Sequence, residues 1–330
     1  MKNGQERLVI VIVINPRATR IRKNPWMIKE IHRSYGRRAR IIVEDTPHKA
    51  IGILNEISAR EWIERIYIVG GDGTFNDVLN WITHRPRGEQ PALMSVGGGE
   101  FCYMAQFHGL PSKNPMVNLD RLFRKTILTE HRPWRPLRVH DEITGEEFDA
   151  ALVANGIIAD FVRWYEDVGK GGTLTLIGII WRASLSVISE GMRKRIGRIH
   201  QQRGLVKMDA RVMEHRAYSG VVMSTIPELA ASCRPFEGTL EPESFYVLSY
   251  WGSLRCLAMS SLSFWRGKTP GWAKPFVFNQ PASDAILATD EDTLVVDGDL
   301  RRLANGTDTE PCKHILNITA GDPIPLLMVI

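Results

Sequence analysis

The feature that most constrains the fold is an apolar strand that runs into glycines and then directly into a helix. Residues 66–80 read IYIVGGDGTFNDVLN. After the glycines, Phe75, Val78 and Ile82 recur at helical spacing, so one face of the predicted helix is apolar. This arrangement predicts a strand–loop–helix unit of the kind that builds sheets of parallel strands.

Composition indicates a soluble globular protein long enough for two domains, with 330 residues of which 44% are hydrophobic and 24% charged. The net charge of +5 favours an anionic partner such as a nucleotide, a nucleic acid or a membrane surface, without deciding among them. The four cysteines lie far apart and show no spacing typical of a zinc site. We therefore expect reduced thiols in a cytoplasmic protein.

The apolar N-terminal run is predicted to be a strand and not a targeting segment. Six of the seven residues of Leu8–Ile14 are β-branched, which favours a buried strand. No apolar run reaches the roughly 18 residues that span a bilayer, and the longest apolar region, 173–188, is interrupted by Arg182. The sequence predicts a protein that is soluble or peripheral to a membrane.

Strands and helices alternate through the first third of the chain, which predicts a doubly wound parallel sheet with ligands beyond the carboxyl ends of its strands. Beyond 129–136, short β-like runs separated by turns predict an antiparallel sandwich or barrel, interrupted by a helix near 173–196. The predicted domains are 1–132 and 133–330. The predicted elements of the first are strands Leu8–Ile14, Arg40–Val43, Ile66–Val69 and 92–96, and helices Trp26–Tyr35, 48–58, the one after the glycines, and 118–128.

The glycine loop itself predicts a phosphate site. Unpaired backbone amides at a helix start attract anions, and Gly70, Gly71 and Gly73 let phosphate oxygens approach them. Thr74 adds a hydroxyl, and the carboxylate of Asp72 suits Mg²⁺ binding or proton transfer. A plain turn is the alternative, but it needs only one or two glycines.

Three further segments accompany this loop: VINPRA at 13–18, ANGIIADF at 154–161 and VVDGD at 295–299. In that order and spacing the chain resembles the diacylglycerol kinase catalytic-domain family, which includes bacterial lipid kinases, sphingosine kinases and ceramide kinases, and more distantly NAD kinases. The resemblance extends from Asn15 to the strand near Ile315. Its most specific element is GGDGTFNDV.

The resemblance implies an α/β nucleotide-binding domain followed by an antiparallel β-sandwich, with the active site in the cleft between them. The C-terminal segment could pack back on the first domain. ATP and Mg²⁺ are the implied cofactors, with Asp72 and Asp299 as metal ligands and Asp72, Asp297 and Asp299 as catalytic residues. A solvated hairpin turn is the alternative for Asp297–Asp299. The implied nucleotide-binding positions are Asn15, Pro16, Thr46, Gly70, Gly71, Asp72, Gly73, Thr74, Asn76, Gly98 and Gly99.

A second loop departs from the family pattern. Members carry Gly-Thr-x-Asn-Asp-Phe-Ala, whereas residues 95–111 read SVGGGEFCYMAQFHGLP. Gly97–Gly99, Ala105 and the final Gly-Leu-Pro are kept, but the threonine and the Asn-Asp pair are absent. Two readings follow, a divergent kinase or a homologue without turnover, and the retained aspartates favour the kinase. Cys102 has no identifiable base partner, so we expect a buried small hydrophobe and not a nucleophile.

The predicted reaction is ATP-dependent phosphoryl transfer to a hydroxyl of a lipid such as diacylglycerol. A sphingoid base or ceramide is the alternative acceptor, and a catalytically silent nucleotide- or lipid-binding regulator is the alternative class. The Asp-Gly-Asp argues against an NAD kinase. The lipid chain would enter beside the helix at 173–190.

The expected partners are a lipid substrate and an anionic membrane contacted peripherally by a cytoplasmic protein, with no nucleic acid and with a homodimer left open. The membrane expectation rests on basic residues at 192–203 and on Trp265 and Trp272, which stand among Arg266, Lys268 and Lys274.

Overall fold

The computed structural model describes residues 8–167, 202–209, 211–212, 217–229, 233–252, 254–304 and 313–330. These residues divide into two compact units. The described residues up to Trp134, together with Asp322–Ile330, form the first unit, and Arg135–Gly321 bound the second. The helix predicted near 173–196 lies outside the described residues.

The first unit is an α/β sheet of six strands. Numbered along the chain, the strands are β1 (Leu8–Ile14), β2 (Arg40–Val43), β3 (Trp62–Gly70), β4 (Ala92–Gly98), β5 (Thr129–Trp134) and β19 (Ile324–Val329). The helices are α1 (Thr19–Lys23), α2 (Trp26–Tyr35), α3 (Pro47–Ser58), α4 (Asp72–Thr83), α5 (Tyr103–Phe107) and α6 (Pro115–Phe123). The predicted elements of this region are present, with α1, α5, β5 and β19 in addition.

The strand order β2-β1-β3-β4-β19-β5 places a change of winding direction between β1 and β3. The pairs among β1 to β4 and the β4–β19 pair are parallel, and the edge strand β5 is antiparallel to β19. Apolar strand residues such as Ile12 and Val69 share a core with Ile31 of α2 and Leu119 of α6. In such sheets ligands bind where the winding direction changes.

One helix of the first unit is shorter than predicted. We expected a helix over 118–128, but α6 begins at Pro115, where the Asn114 side chain accepts the Met116 N–H at 3.0 Å, and ends at Phe123. Lys125 has a φ of 57°, which a continuing right-handed helix does not allow. Apolar spacing alone did not show this stop.

The second unit contains two antiparallel sheets. Its strands are β6 (Leu137–Asp141), β7 (Glu147–Ala150), β8 (Leu152–Gly156), β9 (Gln202–Met208), β10 (Arg211–Val212), β11 (Ala217–Tyr218), β12 (Gly220–Ser224), β13 (Phe245–Tyr250), β14 (Val277–Ala282), β15 (Asp284–Thr289), β16 (Thr293–Val296), β17 (Asp299–Arg302) and β18 (His314–Ala320). One sheet runs β10-β9-β15-β18-β6-β7, with β11 beside β9, and the other β14-β13-β12-β8-β16-β17. Val139 and Phe148 of the first sheet share a hydrophobic cluster with Val153 and Phe245 of the second.

Two helices of the second unit were not predicted, α7 (Ile157–Asp167) and α8 (Leu254–Trp265). The α8 sequence LRCLAMSSLSFW has few charges and no clear polar face, so its periodicity is weak. Within the described part of the chain, no helix has the length and apolarity needed to cross a membrane.

Candidate functional site

Three loops of the first unit meet at the carboxyl ends of neighbouring strands. Asn15 follows β1, Gly71 follows β3, and Gly99 follows β4. The Asn15 backbone N–H donates to the Val69 carbonyl at 3.0 Å, and the Gly99 N–H donates to the Gly70 carbonyl at 2.8 Å. The segment at 13–18, the glycine loop after β3 and the divergent loop after β4 thus converge where the winding direction changes.

A side-chain hydrogen bond joins the first two loops. Asn15 Nδ2 donates to Thr74 Oγ1 at 2.9 Å, while Asn15 Oδ1 accepts the Arg17 N–H at 2.9 Å. These two contacts fix the amide orientation. A threonine hydroxyl that accepts from Asn15 keeps its own proton to donate, which suits a phosphate oxygen.

Most of the glycines at this site are required by close backbone packing. A Cβ on Gly99 would lie 2.5 Å from the Cα of Gly71, and Gly98 has a φ of 124°. A Cβ on Gly70 would lie 2.8 Å from the Thr74 side chain. At Gly71, by contrast, the nearest atom to an added Cβ is 3.9 Å away, so packing leaves room there that a phosphate could use.

Asp72 is the first residue of α4 and is buried. Its Oδ1 accepts the backbone N–H of Met104, at the start of α5, with a distance of 3.1 Å. The carboxylate therefore ties the glycine loop to the divergent loop after β4. The contact uses a backbone amide and does not need the missing asparagines.

Cys102 is buried in the divergent loop, as predicted, with a left-handed φ of 52°. Burial raises the pKa of the Cys102 thiol to about 11, and the nearby charge of Asp72 adds to the effect. A thiol with that pKa is protonated at neutral pH, which argues against a nucleophilic role.

The remaining predicted nucleotide positions have different surroundings. Thr46 precedes α3 at the carboxyl end of β2, and its side chain makes no capping hydrogen bond. Asn76 is buried on α4, where its Oδ1 accepts from Asn80 Nδ2 at 3.2 Å. Pro16 directly follows Asn15 and is half-buried. Nucleotide contact stays a prediction for all three.

Arg20 is a candidate that the sequence reasoning missed. It lies on α1, close enough for its charge to act on the Cys102 thiol. Its Nε is buried, and among the described residues it has no hydrogen-bond partner. Its position five residues after Asn15 is the sequence feature that could have indicated this role. A phosphate would supply the hydrogen-bond acceptor that Nε lacks among the described residues.

The Asp-Gly-Asp of the second unit forms a tight hairpin between β16 and β17. Val296 pairs with Asp299, and Asp297 and Gly298 have φ values of 51° and 88°, as in a two-residue hairpin turn. The sequence left open a solvated hairpin turn as the alternative. The turn is a hairpin, but the Asp297 side chain is not solvated, because this residue is only 2% exposed.

The two hairpin carboxylates differ in environment. Asp297 Oδ1 accepts the backbone N–H groups of Ala151 at 3.0 Å and Leu152 at 2.8 Å, which anchors the hairpin to the start of β8. Asp299 is exposed at the start of β17. The carboxylate of Asp297 thus has a structural task, and that of Asp299 is exposed to solvent.

The described residues contain no group of three or more His, Cys, Asp or Glu side chains that could hold a metal ion. Mg²⁺ bound with a nucleotide needs only one or two protein carboxylates, because phosphates and water complete its shell. Asp72 beside the open position at Gly71 fits that requirement.

Comparisons with known proteins found one family match for part of the chain and several solved structures of similar fold. Residues 9–130 match the diacylglycerol kinase catalytic domain. No curated protein matches the chain. Three solved structures from Bacillus anthracis str. Sterne are similar in fold, one described as "a diacylglycerol kinases" and two as "putative" ones. Each is 13% identical to this chain, with TM-scores of 0.65, 0.60 and 0.63 and coverage of 98–99% of this chain and 97–98% of the other.

Proposed function

Since residues 9–130 match the diacylglycerol kinase catalytic domain, we propose that this protein is an ATP-dependent lipid kinase that phosphorylates a hydroxyl of a lipid such as diacylglycerol. The observation that carries the proposal is the hydrogen bond from Asn15 to Thr74, which joins two loops where the sheet changes its winding direction. Phosphoryl transfer asks a protein mainly for positioning and charge neutralisation, and this arrangement supplies positioning.

The first unit is proposed to hold the triphosphate. The room at Gly71 lets phosphate oxygens reach the amides at the start of α4, and the Thr74 hydroxyl donates to one of them. Arg20 supplies a cation whose Nε has no hydrogen-bond partner among the described residues. Bound Mg²⁺ would neutralise phosphate charge, with Asp72 as its proposed carboxylate ligand in this unit.

Asp299 is proposed as the group that accepts the proton of the attacking lipid hydroxyl. Asp297 is already engaged by two backbone N–H groups, so its role is to hold the hairpin that presents Asp299. A carboxylate placed within reach of the hydroxyl contributes on the order of a hundredfold or more to the rate. The shared core of the two antiparallel sheets supports the sandwich arrangement implied by the resemblance.

Two alternatives differ from this proposal, one in the lipid that accepts the phosphate and the other in whether the protein catalyses transfer at all. A sphingoid base or ceramide would use the same phosphate site. The silent regulator is favoured only by the loop at 97–103, and there the backbone of Met104 still reaches Asp72.

The test incubates the protein with radiolabelled ATP, Mg²⁺ and a total lipid extract, and identifies the labelled lipid. Asp72→Asn should fold normally and lower turnover at least about a hundredfold. Asp120→Asn is the matched control, because Asp120 is a surface ion-pair residue of α6. A wild type that binds an ATP analogue but labels no lipid would identify the silent regulator, and normal turnover by Asp72→Asn would reject its assigned role.

A further inference from the structure

We propose that an exposed surface of the second unit, built by one side of α8 and the segment after it, docks the protein onto an anionic lipid bilayer. We call this surface the docking face. Its apolar members are Met259, Leu262, Trp272 and Phe276. Its basic members are Arg266, Lys268 and Lys274.

The apolar members are unusually exposed for their size. Met259 is 68% exposed, Leu262 63% and Trp272 46%. Met259 and Leu262 are three residues apart on α8 and therefore lie on one side of the helix, and Arg266 directly follows its last residue. The opposite side carries the buried Phe264. The sequence pointed to Trp265 and Trp272, but Trp265 is only partly exposed.

The helix and the segment after it are attached to the same end of β13. The ring of Phe264 contacts that of Tyr250 with centroids 6.5 Å apart. The Phe276 carbonyl accepts the Trp251 N–H at 3.1 Å, and a Cβ on Gly252 would lie 2.9 Å from the Phe276 Cβ. The two segments that carry the exposed side chains are therefore attached at the same end of this sheet.

The charge of the docking face favours an anionic bilayer as its partner. The 40 residues 244–283 contain four basic residues and no aspartate or glutamate. Arg266, Lys268 and Lys274 are exposed. A second copy pairing through the same face would bring these cations against their own equivalents, which repel. A surface of anionic headgroups over an apolar layer complements both the cations and the apolar side chains.

The expected strength follows from these groups. Each lysine or arginine at an anionic surface strengthens partition by about fivefold. Tryptophan prefers the boundary between headgroups and acyl chains. Docking would present the proposed kinase to acceptors in the bilayer, and that purpose rests on the proposed function, whereas the binding itself does not.

The test measures co-sedimentation with vesicles of phosphatidylcholine alone and of equal parts phosphatidylcholine and phosphatidylglycerol, without ATP. The wild type should bind the anionic vesicles and release them at high salt. Lys268→Gln with Lys274→Gln should weaken binding by about 25-fold. Leu262→Ser with Trp272→Ala should weaken it at least tenfold by losing apolar burial. The matched control is Trp62→Ala, an exposed tryptophan between Glu61 and Glu64 in the first unit, and it should bind as the wild type does.

The outcomes separate the proposals. The docking proposal would be overturned if the wild type did not bind anionic vesicles, or if the docking-face variants bound them as tightly as the wild type does. The proposal would also be overturned if light scattering showed that the wild type is a dimer and that the docking-face substitutions make it monomeric without changing vesicle binding. Detergent-dispersed lipid is the second assay. Variants that fail on vesicles but phosphorylate dispersed lipid support docking, and vesicle binding with no phosphorylation in either assay refutes only the kinase.

Discussion

The Asn15 amide donates to the Thr74 hydroxyl at 2.9 Å across 59 positions of the chain. This contact orients the Thr74 hydroxyl, which we propose donates a hydrogen bond to a phosphate oxygen of the nucleotide. Asn15→Ala should therefore raise the Kd of an ATP analogue by roughly tenfold or more, the loss expected when the Thr74 hydroxyl no longer makes its hydrogen bond to a charged ligand. Calorimetric titration measures it.

The control for that variant is Asn114→Ala. The Asn114 side chain caps α6 through the Met116 N–H, so its loss should cost about 1 kcal/mol of stability and leave nucleotide affinity unchanged. Equal nucleotide affinities for Asn15→Ala and the wild type would remove Asn15 from the site.

The two glycine loops should respond differently to alanine. Gly71→Ala places a Cβ with 3.9 Å of clearance, so the protein should fold with near-normal stability while the methyl obstructs phosphate and weakens nucleotide binding at least tenfold. Gly99→Ala forces a contact of 2.5 Å with the Gly71 backbone and should lower stability by about 1–3 kcal/mol. Thermal unfolding and calorimetry separate the two. Unchanged affinity in Gly71→Ala would contradict the phosphate cradle.

His108 predicts a pH dependence of stability. It is fully buried, and burial lowers the pKa of His108 to about 4, although its hydrogen bond to the Leu327 carbonyl opposes the shift. The unfolded chain then binds the extra proton between about pH 6.5 and pH 4, so stability is fully present above that window and falls through it.

The expected loss from this group is about 2 kcal/mol between neutral pH and about pH 5. His108→Phe removes the titrating ring and should flatten the urea-unfolding midpoint against pH across this window, whatever its stability at neutral pH. A variant with the wild-type slope would assign the pH dependence to other groups.

Local sequence signals accounted for much of the first unit because they coincide with its tertiary packing. The β-branched run Leu8–Ile14 is a strand, and the apolar spacing after Gly71 is a helix. The edge strand β5 was missed because Thr129–Trp134 shows no apolar alternation and pairs with the distant β19. Pairing across so many residues has no local signature.

The candidate site shows the same division. Glycines and aspartates at a strand end were readable as a phosphate loop, but the bond between Asn15 and Thr74 depends on strand order. The sequence also left Asp297 and Asp299 equivalent. The backbone N–H groups of Ala151 and Leu152 distinguish them, and these come from residues about 145 positions earlier.

That distinction gives the last prediction. Asparagine accepts the left-handed backbone of position 297 and favours Asn-Gly turns, so Asp297→Asn keeps the hairpin geometry while it removes the charge. Two buried N–H groups then lose a charged acceptor, which should cost about 1–3 kcal/mol of stability. Asp299→Asn changes an exposed side chain, so it should leave stability within about 0.5 kcal/mol and lower lipid phosphorylation at least about a hundredfold, with ATP-analogue affinity within a few-fold. Urea unfolding, calorimetry and the labelled-lipid assay are measured on both variants. Full turnover in Asp299→Asn with turnover abolished in a folded Asp297→Asn would reverse the assignment and make Asp297 the base.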